Sequence, residues 1–179
     1  MSNNIQLSRE DLRSQSTSLF AQMKEATRTN GGASGVVTPD GRFLDPVTTG
    51  HGYMVSLSPT AKYENSPWYG EAIIIANNGG TLRHTPRAEG LKRASALGEL
   101  RTADESVLLF GFLERMELIN QLNLDDLGHG LYVGMWGTND LTCLDISLHA
   151  SGKTFAKRLG RLGNQQAIFD IANMADINL

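Results

Sequence analysis

“LYVGMWGTNDLTCLDISLHA”, residues 131–150, is the stretch on which the fold turns. Its two halves, 131–137 and 141–150, are rich in aromatic, β-branched and other apolar residues, and the polar Thr138-Asn139-Asp140 between them suits a hairpin. Downstream, “SGKTFAKRLGRLGNQ” (151–165) places Phe155, Leu159 and Leu162 on one helical face and Lys153, Lys157 and Arg161 on another. Gly163 and Asn164 are suited to cap that helix. “AIFDIANM” (167–174) reads as a closing strand, so 131–174 is expected to form a β-β-α-β unit.

Working upstream, “TADESVLLFGFLERMELINQL” (102–122) carries the strongest helical period. Thr102 and Glu105 have capping-box spacing, and Leu109, Phe112, Leu113, Met116 and Ile119 recur every three or four residues. Val107, Phe110 and Leu122 widen the stripe beyond one face, which predicts a central buried helix. Gly111 in its interior predicts close approach of another backbone. A second helix is expected over 85–101, entered at Pro86, so 85–122 reads as a helical segment.

The segment 36–76 reads as β-rich, with a strand at 53–57 and a buried strand at “EAIIIA” (71–76). Ser8 opens an N-terminal helix over 8–29, and “NGGASG” (30–35) reads as its cap and a flexible exit. The expected class is α+β: one domain, an N-terminal helix, a central buried helix and a small mixed or antiparallel sheet. The expected core comprises Leu109, Phe112, Leu113, Met116, Ile146, Phe155, Leu159, Ile168 and Phe169.

A chain of 179 residues is the size of one domain, and 40% hydrophobic with 20% charged residues is an ordinary globular mixture. The net charge of −3 argues against sequence-independent binding to nucleic acid or an acidic membrane surface, and no sequence-specific nucleic-acid motif stands out. Cys143 is the only cysteine, which excludes an internal disulfide and a thiolate zinc cluster. The polar start lacks the apolar core of a secretion signal, and no apolar run is long enough to span a bilayer, so a cytoplasmic protein is expected.

Two regions resemble a known pattern. “YVGMW…LTCLDISLHA…FAKRLGRLGNQQAIFDI” resembles a module of uncharacterised bacteriophage and mobile-element proteins, in which Y-h-G-x-W leads to L-D-h-S and then A-x-x-L-G-x-x-x-N-Q-x-A-I-F-D. “GGASGVVTPDGRFLDPVTTGHGYMVSL” (31–57) resembles their earlier G-G-h-x-h-x-P…P-x-T-G-Y-x-V stretch. Together they cover over a third of the chain. His51-Gly52 stands inside what is there a direct T-G-Y, and the helices of 85–122 have no counterpart. The resemblance implies a phage or mobile-element setting, in the host cytoplasm, with no activity attached.

Two Gly-His-Gly tripeptides, centred on His51 and His129, precede strands. Histidine can serve as base, ligand or pH switch, yet flanking glycines equally make a turn. If the chain is an enzyme of ADP-ribosyltransferase-like or hydrolase type, His51, Tyr53 and His129 are the candidate catalytic residues. The former class lacks here its late E-x-E or Q-x-E. No histidine pair has metal-chelating spacing and no phosphate-binding loop is complete, so no metal and no cofactor are expected.

Charge is distributed unevenly. Arg83, Arg87, Lys92, Arg93 and Arg101 outnumber Glu89 and Glu99 over 83–101, whereas 104–126 is acidic. The leading expectation is a non-enzymatic protein-binding module, an inhibitor of a host defence protein among its roles. Its partner would be a host or phage protein, met by Arg83, Arg87, Lys92 and Arg93 with Trp68 and Tyr69 as anchors. A virion-associated structural part is a further alternative, and homo-oligomerisation is compatible with all of these.

Overall fold

The computed structural model describes residues 6–58, 67–77, 80–122, 130–138 and 140–179. It opens with helix α1 (Arg9–Asn30), whose Ser8 cap accepts from the Asp11 N–H at 3.1 Å. Gly31, in the left-handed region at φ 85°, turns the chain into strand β1 (Gly32–Val37). Then come β2 (Phe43–Leu44), a 3-10 turn (Pro46–Thr49), β3 (Tyr53–Ser56), α2 (Pro67–Asn77), α3 (Pro86–Ala96), β4 (Leu100–Thr102) and α4 (Glu105–Leu122). The hairpin β5 (Leu131–Thr138) and β6 (Leu141–Ala150) follows, then α5 (Lys153–Leu162), β7 (Ala167–Asp170) and β8 (Ala175–Asn178). The class is α+β.

The hairpin forms the middle of one antiparallel sheet of order β2-β1-β5-β6-β3-β7-β8, and β4 also pairs with β6. Val133 faces Ile146 and Gly134 faces Asp145 across β5 and β6, while Ser56 faces Ser147 and Leu100 faces Leu144 on the other flank of β6. Strand alternation therefore puts Val55, Leu100, Val133, Met135, Leu144, Ile146 and Leu148 on one face. Helices α1, α4 and α5 pack on that face. A Cβ at Gly35, opposite Val133, would sit 3.3 Å from Met23 and 3.4 Å from Leu19 of α1. Gly111 of α4 lies against Leu100, and Gly160 of α5 against Ile168. The core is sandwiched between this sheet face and the helices.

Several expectations are corrected. “NGGASG” is not a flexible exit: beyond Gly31 it is β1, where the missing side chain at Gly35 lets α1 settle onto the strand. “EAIIIA” is not a strand but the second half of α2, with Ile73 and Ile74 fully buried. A short apolar run has no period to distinguish the two, and packing of α2 against both α3 and α5 buries it. The helix expected to fill 85–101 ends at Ala96, and Leu100–Thr102 joins the sheet as β4. Asp104, rather than Thr102, caps α4, its Oδ1 accepting from the N–H groups of Ser106 and Val107 at 2.8 and 3.1 Å.

Along α4, Phe112, Met116, Ile119 and Leu122 are buried, but Val107 is 44% and Phe110 67% exposed. The helix is therefore not buried all round. Gly111 admits the Leu100 side chain rather than a backbone. Of the other expected core residues, Ile146, Leu159 and Ile168 are buried, and Leu109, Leu113, Phe155 and Phe169 are half-buried against the core. The closing strand expected over 167–174 ends at Asp170, and a turn leads to the additional strand β8. The sheet has four further strands from the first two thirds of the chain, so 131–174 is part of a larger sheet rather than a separate unit.

Candidate functional site

The sheet face turned away from the helices carries a polar patch at its centre. Reading along β6, Cys143, Asp145, Ser147 and His149 all point to it, with Ser56 of β3 and Tyr132, Gly134 and Trp136 of β5 alongside by register. The chain from β2 to β3 crosses this face, because β2 lies at one edge and β3 beyond β6. Its path is marked by two contacts. Asp45 is close enough for its charge to help burial raise the Tyr132 hydroxyl above its usual pKa, and Gly52 rests on the His149 ring.

Asp145 is 5% exposed and accepts hydrogen bonds from Ser147 Oγ at 2.9 Å and from Ser56. Gly134 makes the room: a Cβ there would collide with Asp145 Oδ1. Burial raises the Asp145 pKa, and the two serines and the charge of Arg115 oppose it only in part. Arg115 itself is buried, donating to Gly111 O at 3.1 Å and Gly98 O at 3.0 Å, and desolvation lowers its pKa. Burial likewise pushes the Cys143 thiol up to about 11, which leaves it protonated near neutrality and a poor nucleophile.

A raised native-state pKa means that the folded protein holds the Asp145 proton more tightly than the unfolded chain does. The resulting stability is complete below the unfolded value of about 3.9 and is lost as pH rises through the folded value. Asn at this position cannot ionise. Asp145→Asn should therefore gain stability relative to wild type as pH rises from about 4 towards 8. Denaturant unfolding at both pH values checks this, and a difference that did not grow with pH would contradict it.

The row Asp145, Ser147, His149 has the residue types of a nucleophilic triad but not its connections. The Ser147 hydroxyl donates its hydrogen bond to Asp145 Oδ1. His149 Nε2 donates to the carbonyl of His51 at 2.8 Å rather than accepting from the serine. His51 lies over the strand end, its ring 5.9 Å from that of His149. The first Gly-His-Gly is thus a turn: Gly50 takes φ 72° and Gly52 φ 91°, and a Cβ at Gly52 would strike His149 Nε2. Tyr53 leans the other way, against the core, so it does not join His51. His129 lies outside the described residues.

Spacing alone links neither Ser147 with His149 nor His149 with His51. Their meeting depends on β3 pairing with β6, which spacing does not reveal. Among the described residues, no group of three or more His, Cys, Asp or Glu is placed to hold a metal, and no helix is long and apolar enough to cross a membrane.

The expected interface on α3 is also rearranged. Tyr69 is no surface anchor: it is 3% exposed and its hydroxyl donates to Leu57 O at 3.1 Å. The Lys92 stem packs on Gly70, Arg101 pairs with Glu99, and Glu89 with His84. Arg83 and Arg93 are exposed and Arg87 is half-buried; the Trp68 side chain lies outside the description. Trp136 is half-buried beneath the Arg101 guanidinium, 5.6 Å from the ring centre.

The exposed apolar surface is elsewhere. A groove of about 210 Å³ runs between α1 and α4, lined by Leu12, Arg13 and Ser16 on one wall and Phe110, Leu113 and Glu114 on the other. Arg9 and Glu117, ion-paired at 2.8 Å, also line it. Lys24 pairs with Glu105 at the opposite end of the two helices at 2.6 Å, which fixes them as antiparallel. No family model matches this chain, and neither a curated protein nor a solved structure is similar to it.

Proposed function

We propose that the chain is a non-enzymatic protein-binding module whose docking surface is the α1–α4 groove. The observation that carries this is Phe110, 67% exposed beside a groove with Leu12 and Leu113 in its walls. An aromatic ring left in water on a helix whose other face is buried is the kind of anchor that partners cover. Arg13 and Glu114 supply a charged rim of both signs, suited to an amphipathic partner and not to a phosphate backbone. A phage or mobile-element role, with a host defence protein as target, is supported by the sequence resemblance alone.

Phe110→Asp tests the reading in the tagged protein. The exposed ring contributes little to folding, so the variant should unfold like wild type, while capture of its partner from infected cells should fall by roughly 30-fold or more, as for loss of a hot spot. Undiminished capture by the folded variant would remove the groove from consideration. Reversal of Arg83, Arg87, Lys92 and Arg93 to Glu is the control for docking on α3.

A further inference from the structure

We infer that the occupant of the α1–α4 groove is a second copy of this chain. The inference rests on the reading of the groove as a docking surface and names its partner. A two-fold interface brings the same patch to itself, so a patch of one sign repels its mate and a patch divided by sign attracts it. Here the division follows the helices: Arg13 is on the α1 wall and Glu114 on the α4 wall. Neither is in an ion pair among the described residues.

The antiparallel course of the two helices supplies the geometry. A two-fold axis along the groove, parallel to both helices, sets α4 of each copy over α1 of the other at the same height. Glu114 then meets Arg13 of the partner copy on both sides of the axis. Phe110, in the same wall as Glu114 and one turn before it, enters the partner's groove at the height of Ser16, one turn beyond Leu12. Val107, one turn earlier on α4 and 44% exposed, extends the apolar seam. The product is a four-helix layer made of two α1–α4 pairs, with apolar residues along the axis and exchanged ion pairs at its margins.

Sedimentation velocity over a concentration series tests it. Wild type should pass from monomer to dimer, and Phe110→Asp should stay monomeric. Arg13→Glu should weaken dimerisation by about ten-fold or more, since it sets two carboxylates opposite each other. Combining it with Glu114→Arg should restore at least most of the loss, because the exchanged pair is re-formed with its signs swapped. A dimer that ignores these substitutions, or a double variant no better than the single one, overturns the proposal. So does a wild type that remains monomeric up to about 1 mM. In that last case Phe110→Asp in the capture experiment separately decides whether the groove binds another protein: lost capture leaves the docking surface standing with a different occupant, and retained capture removes both.

Discussion

Truncating Phe112 to Ala should lower the unfolding free energy by about 3–5 kcal/mol, the usual cost of emptying a buried aromatic site. Phe112 is fully buried and meets Phe20 of α1 edge to face, with ring centres 5.3 Å apart and planes at 61°. The two rings bind α1 to α4 directly over the sheet, so the loss combines transfer free energy, a cavity and the ring–ring term. Neighbours can refill little of the space, since Phe20 and Met116 are already closely packed core residues. Chemical denaturation measures the loss; a value below about 1 kcal/mol would mean that this face of α4 does not hold the core. Phe110→Ala, two residues earlier but 67% exposed, is the natural comparison and should cost far less.

Gly134→Ala should destabilise by about 1–3 kcal/mol, the range for forcing extra volume into a packed interior. One methyl group has this effect because its place is taken by Asp145 Oδ1. The carboxylate cannot swing aside freely: Ser56 and Ser147 hold it, and it is buried on all sides. Displacing it would break those hydrogen bonds or leave a carboxylate oxygen unpaired away from water. A double-mutant cycle identifies the cause. Once Asp145→Ala has emptied the site, adding Gly134→Ala should cost little, so the double variant should lose less than the sum of the singles. Strict additivity would show that Gly134 matters for some other reason.

The contrast between these two residues marks what could be read in advance. Phe112 belongs to a periodic stripe, and its burial follows from spacing alone. Gly134 is one of several strand glycines, and its role appears only when register sets it opposite Asp145. The same distinction runs through the candidate site. Turn geometry at His51 was readable from its glycines, but its contact with His149 required β3 to pair with a strand almost a hundred residues later. Phe110 shows the converse error, because an added apolar residue in a stripe widens it on paper whether or not anything packs there.

By itself, the sequence determined the α+β class, the β5–β6 hairpin, the extents of α1, α4 and α5 to within a few residues and the buried stripe of Phe112, Met116 and Ile119. These are local matters, written in period, caps and turn residues within one or two turns of chain. Tertiary structure alone decided that Ile73 and Ile74 lie in a helix, that a glycine-rich exit is a strand, and that α1, α4 and α5 share one sheet face. It also placed a buried carboxylate opposite a glycine and left Phe110 in water beside an open groove. Each of these depends on which distant surface arrives to cover a residue, and burial by a distant neighbour leaves no period in the chain.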